Sequence, residues 1–77
     1  MADKTRIALS ILRRRDLEDR LKLSRSTIYD KINPQSARFD ATFPKPIRLG
    51  TGSAVGWIEG EIEAWLRAQI EASRKRA

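Results

Sequence analysis

Two apolar pairs, Leu17/Leu21 and Ile28/Ile32, stand either side of a short break at residues 22–24, and Pro34 closes the second. Residues four apart share one face of a helix, so each pair marks a short helix with one apolar stripe. Asp16 is the expected N-cap of the first, with Glu18 and Asp19 in its first turn, where the helix dipole favours acids. Lys22 and Leu23 interrupt the pattern. Ser24 then offers a second N-cap for a helix from Arg25 to Asn33. Proline disfavours helical geometry at the residue before it and cannot donate to the ladder, so Pro34 ends that helix. The region therefore reads helix, tight turn, helix.

The rest of the chain is equally segmented. Residues 34–45 hold turn formers and two aromatics, Phe39 and Phe43, expected to tuck the loop against the core. Two β-prone runs, Ile47-Arg48-Leu49 and Ala54-Val55-Gly56-Trp57, flank Gly50-Thr51-Gly52-Ser53 and predict a hairpin. Ile62, Trp65, Leu66 and Ile70 carry the period of an amphipathic helix from about Glu59 to about Ser73. Ile28, Ile32, Ile62, Trp65 and Leu66 are expected core residues, and Trp57 a lid over the core. The expected fold is mainly α with a small β-hairpin: a winged helix-turn-helix of about three helices and a two-stranded wing. Residues 1–10 are read as a loose N-terminal segment, 11–73 as the folded domain and 74–77 as a basic tail.

Composition narrows the function classes. At 77 residues the chain supports one small domain. It has 0 Cys and 0 His, so disulfides, thiol nucleophiles, zinc-finger sites and the commonest general base are all excluded. No enzyme activity, metal or cofactor is expected. No apolar run is long enough to span a bilayer, and Met1 to Arg6 lacks the apolar stretch of a signal peptide, so the expected setting is the cytoplasm, at the nucleoid, with no membrane partner. The formal charge is +6, from 16 Lys and Arg against 10 Asp and Glu, which favours a binder of polyanions. Cations are in excess at 1–15, 31–48 and 74–77, and acids at 16–30 and 49–73.

A helix-turn-helix sets its second helix in the DNA major groove, where residues near the helix N-terminus meet base edges. With Ile28 and Ile32 turned inward, Ser26, Thr27, Asp30 and Asn33 point away from the core, with Tyr29 and Lys31 on the flanks. Arg25 belongs to the first turn, and its long stem reaches round to a phosphate or a guanine. The hydroxyls of Ser24, Ser26 and Thr27 allow close approach and bond phosphates or bases. Lys45 and Arg48, with the small residues Thr51, Gly52 and Ser53, make a slim positive hairpin tip suited to a phosphate backbone or a minor groove. The expected DNA-contacting set is Ser24, Arg25, Ser26, Thr27, Tyr29, Lys31, Lys45, Arg48, Thr51 and Ser53. Arg13-Arg14-Arg15 and Arg74-Lys75-Arg76 read equally well as solvated runs or as phosphate contacts. One recognition helix reads few base pairs, so several copies are expected to bind together.

Four blocks in order carry a family resemblance: Leu23-Ser24-Arg25-Ser26-Thr27-Ile28-Tyr29, Phe43-Pro44-Lys45-Pro46-Ile47-Arg48-Leu49-Gly50, Val55-Gly56-Trp57 and Glu63-Ala64-Trp65-Leu66. Together they resemble the AlpA family of prophage transcriptional regulators, which stands with the excisionase-like and MerR-like winged helix-turn-helix proteins. The resemblance implies a regulator that binds double-stranded DNA sequence-specifically near promoters or attachment sites, with the transcription machinery or an integrase as further partner. The alternatives are an excisionase that bends DNA at an attachment site, and a modulator that binds a protein. Two positions depart from the family pattern. Lys22 stands where the turn often has Gly, predicting a slightly strained left-handed residue. Asp30 stands where a basic residue is frequent, and a carboxylate there repels phosphate.

Overall fold

The computed structural model describes residues 9–76 and has the element order β1 (Ile11–Leu12), α1 (Arg14–Leu21), α2 (Arg25–Ile32), β2 (Ile47–Arg48), β3 (Val55–Ile58) and α3 (Glu59–Arg76). It is a winged helix-turn-helix, mainly helical, with three strands where two were expected. Apart from Leu9 and Ser10, the segment expected to be loose lies outside the described residues, as does Ala77 of the tail.

Strand β3 is central. β1 pairs with it antiparallel, Ile11 opposite Ile58 and Leu12 opposite Trp57. β2 pairs on its other edge, Ile47 opposite Gly56 and Arg48 opposite Val55. The Leu49 N–H donates to the Ala54 carbonyl at 2.9 Å, carrying the hairpin one step beyond the strands. The Glu59 N–H donates to the Ser10 carbonyl at 2.7 Å, extending the other ladder. Gly56 is required by this layout. A Cβ there would sit 2.6 Å from the Ile11 side chain and 3.2 Å from the Leu12 carbonyl oxygen, because both neighbouring strands press on the same point. Gly50, at φ +95°, supplies the left-handed residue that turns the wing.

Helix α1 begins at Arg14, earlier than its acids suggest. Arg13 is the N-cap, and Asp16 sits inside the first turn, its carboxylate accepting from the Arg13 N–H at 2.9 Å. The expectation of Asp16 as N-cap is thus corrected to the reciprocal half of a capping arrangement, in which an acid one turn in reaches back to the cap. The turn is as expected. Lys22 closes α1 at φ 57°, ψ 36°, its N–H bonded to the Glu18 carbonyl. A left-handed lysine costs about 1–2 kcal/mol relative to ordinary helical backbone, and its exposed pairing with Asp19 returns little of that. Ser24 caps α2, its hydroxyl accepting from the Thr27 N–H at 3.2 Å. Asn33 is extended, as Pro34 demands.

Leu12, Leu17, Ile28, Phe43, Trp57 and Ile62 form the buried core, one from each part of the chain except β2. Leu21, Leu23, Ile32, Val55 and Trp65 pack against it. Trp57, expected as a lid, is itself part of the core, and its indole N–H donates to the Pro44 carbonyl at 3.1 Å, tying the long loop to the sheet. Phe43 tucks inward and meets Trp65 edge-on at 4.9 Å, whereas Phe39 stays 39% exposed. Leu66 is not core: it is 36% exposed and Ile70 41%, because α3 continues past the last element it packs on. The helix also runs through Arg76, so Arg74, Lys75 and Arg76 form its last turn, where cations suit the dipole. No helix among the described residues is long and apolar enough to cross a membrane.

Candidate nucleic-acid interface

Helix α2 is held from behind by Ile28, which is fully buried, and by half-buried Ile32. Its other side is uncovered at the N-terminal end: Ser24, Arg25, Ser26 and Tyr29 are exposed and Thr27 is half-buried. The hydroxyls divide into two kinds. Ser24 is occupied by capping, and its oxygen lies 3.0 Å from the Thr27 hydroxyl. Ser26 makes no such bond and faces solvent. The Arg25 guanidinium lies 5.5 Å from the centre of the Tyr29 ring, which is 46% exposed, so the phenol steadies the cation without neutralising it.

Toward its C-terminus the same helix turns inward more than its spacing suggests. Asp30, expected to point away from the core, is half-buried and accepts a bond from the Ser36 hydroxyl at 3.2 Å. Lys31, expected on the flank as a DNA contact, is half-buried and engaged by its own fold. Its ammonium is 3.9 Å from Asp40, 5.3 Å from the Trp65 ring centre and 6.0 Å from that of Phe43. The physical reason is the loop at 33–46. It folds back onto α2, with the Asp40 N–H bonded to the Lys31 carbonyl at 3.0 Å, and brings the Asp40 carboxylate and the Phe43 ring to the lysine, while α3 supplies the Trp65 ring.

Asp40 is the hub of that loop. Its Oδ1 accepts from the Thr42 hydroxyl at 2.6 Å and the Thr42 N–H at 2.9 Å, and its Oδ2 accepts from the Trp65 indole at 3.3 Å. The Thr42 hydroxyl bond first, then the Thr42 N–H, Trp65 and Lys31, hold this carboxyl below its ordinary range against the opposing effect of burial. A depressed folded value stabilises the protein above the unfolded value, and that stability is lost as pH falls through the folded value. The stability deficit of Asp40→Asn is therefore expected to be constant from about pH 8 to about pH 5 and to shrink below about pH 4. Urea unfolding of both proteins across that range checks it, and a deficit that grows in acid contradicts the assignment.

The wing adds a second uncovered region. Lys45, Arg48, Thr51 and Ser53 are all exposed, and Arg48 makes no ion pair among the described residues. The base of the wing is fixed by an unforeseen contact: the Arg13 guanidinium donates to the Val55 carbonyl at 3.0 Å. Arg13 thus leaves the basic run to become part of the scaffold, and Arg14 pairs with Glu18 at 3.5 Å. The spacing of Arg13 in sequence carries no sign of this, because its partner lies 42 residues away.

Charges are sorted by region. From Ser24 to Trp57 there are five cations and two carboxylates, and both carboxylates, Asp30 and Asp40, are satisfied internally. Most acids of the described chain lie on α1 and α3. There Arg20 bonds Glu59, and Glu63 at 3.4 Å, clamping the two helices together. The Glu59 bond is the main reason that the Arg20 guanidinium is held above its ordinary value.

The chain matches the family described as prophage CP4-57 regulatory protein (AlpA) over residues 10–70. It is 52% identical over 61 residues to the DNA-binding transcriptional activator AlpA of Escherichia coli, covering 79% of this chain and 86% of that one. It is 43% identical over 54 residues to the uncharacterized protein ORF88 of Enterobacteria phage P4, covering 70% of this chain and 52% of that longer relative. No solved structure matches.

Proposed function

The chain belongs to the AlpA family of prophage regulatory proteins, and from that premise we propose that it regulates transcription by binding double-stranded DNA at preferred sequences. The N-terminal half of α2 enters the major groove. Arg25, Ser26 and Thr27 meet base edges there, Tyr29 steadies Arg25, and Ser24 holds the helix end beside a phosphate. The wing, through Lys45, Arg48, Thr51 and Ser53, grips the adjacent backbone or minor groove. Lys31 serves the fold.

The observation that carries the reading is the asymmetry of α2. Its Ile28 side is buried in the core, its hydroxyl- and arginine-bearing side is left open, and between Ser24 and Trp57 five cations outnumber two carboxylates, Asp30 half-buried against Ser36 and Asp40 paired with Lys31. A DNA-binding relative of the same length class supports the same reading.

Binding should be strongly salt-dependent. If about six phosphates are neutralised, log K falls with log salt at a slope of about −5. Fluorescence anisotropy of labelled duplex across a salt series measures this, and a flat dependence contradicts a phosphate-gripping wing.

A further inference from the structure

Helix α3 outruns the domain. Every residue from Leu66 to Arg76 is exposed, while Ile62 one turn earlier is fully buried. At about 3.6 residues per turn, Leu66, Ile70 and Ser73 continue the stripe that Ile62 begins. Two large apolar side chains therefore stand on a projecting helix, in a shallow groove shared with Arg20, Glu63 and Arg67. A helical stretch of this length gains little stability alone in water.

We propose that this stripe is the surface through which a second copy of the chain docks, with the two α3 helices antiparallel about a two-fold axis near Ala68 and Gln69. The charges along the stripe carry the choice of occupant. Glu63, Arg67 and Arg74 lie along one flank, with Glu71 just beyond. In the antiparallel arrangement Leu66 meets Ile70 of the second copy, Glu63 meets Arg74, and Arg67 meets Glu71, each pair occurring twice. This is the self-complementarity that a two-fold interface requires. A parallel arrangement would set this flank against the opposite one, where Trp65, Gln69 and Ala72 offer no charge, and would leave Glu63, Arg67 and Arg74 without partners across the interface. The apolar centre is small, well under the roughly 800 Å² per partner of a stable interface. Free copies therefore associate weakly, and copies on neighbouring DNA sites associate readily, because DNA raises their effective concentration. That last step rests on the proposed DNA binding; the docking surface itself does not.

The absence of Cys from the sequence permits a direct test. Gln69→Cys lies beside the two-fold axis, and Gln35→Cys, on the loop after α2, serves as control. Under mild oxidation without DNA, the first is expected to form disulfide-linked dimers about tenfold more than the second. In the Gln69→Cys background, Glu63→Arg and Arg74→Glu should each lose this excess, and their equimolar mixture should regain it as a mixed dimer. Circular dichroism confirms that each variant is folded, and Arg74→Glu, where Arg74 has no ion-pair partner among the described residues, stands alone if Glu63→Arg is not. Equal linking at positions 69 and 35, or an excess that survives Arg74→Glu, overturns the proposal. Base preference on a single DNA site is expected to be the same in Arg74→Glu as in the unmodified chain, whatever uniform loss the charge change brings, which separates failure of the docking surface from failure of DNA reading.

Discussion

Trp57→Ala is expected to cost the fold about 3–5 kcal/mol, the largest loss from any single truncation. Trp57 is 2% exposed, occupies the central strand and supplies the largest side chain in a core of six buried residues. Truncating a buried tryptophan costs about 3–5 kcal/mol. A domain of 77 residues holds only about 4–12 kcal/mol in total, so this is a large share of it. The indole also bonds the Pro44 carbonyl, so its loss frees the loop that positions Asp40 and Phe43. Trp57→Phe keeps most of the apolar area and loses chiefly that bond, a cost of about 1–3 kcal/mol once the carbonyl is left unsatisfied. It should remain folded. Urea titration followed by circular dichroism distinguishes the two, and a loss below about 1 kcal/mol for Trp57→Ala would mean that the core lies elsewhere.

Arg25→Ala should have the largest effect on DNA affinity. Its guanidinium stands at the open end of α2, braced on the Tyr29 ring. An arginine paired to a guanine contributes about 1–3 kcal/mol of discrimination, so the preferred site should lose roughly 5- to 150-fold while unrelated sequences lose far less. Arg48→Ala belongs to the other class. It should weaken every sequence alike and reduce the salt slope by about one, as removal of a phosphate contact does. Equal losses on all sequences for both variants would contradict the separation of reading helix from gripping wing.

Much of this arrangement was legible from local chemistry. The Ser24 cap, the stop at Pro34 and the four-residue spacing of Ile28 and Ile32 are signals that neighbours in sequence complete among themselves. So is the glycine-rich turn of the wing. What was not legible depends on distant partners. β1 is two residues long and exists because β3 offers an edge to Ile11 and Leu12. Arg13 reads from sequence only as one of three arginines, solvated or on phosphate, and its bond to Val55 shows only in the fold. Periodicity places Lys31 on a flank, but the neighbours its ammonium meets there, Asp40 from the returning loop and Trp65 from α3, are distant in sequence. Leu66 has the right period for the core, yet period says which face a residue occupies and not how far along a helix the core extends. Asp30 is the instructive case: a carboxylate that seemed ill placed for DNA is there to accept from Ser36 and hold the loop.

The central claim is that the open side of α2 reads base sequence. Selection of bound duplexes from a random pool tests it most directly, run in parallel on the unmodified chain and on Arg25→Ala, Ser26→Ala, Thr27→Ala and Arg48→Ala. The account predicts one enriched motif for the unmodified chain. That motif should change at one or two positions for either hydroxyl variant and stay unchanged, with weaker enrichment, for Arg48→Ala. A pool that never enriches, or a motif indifferent to both hydroxyls and to Arg25→Ala, would contradict it.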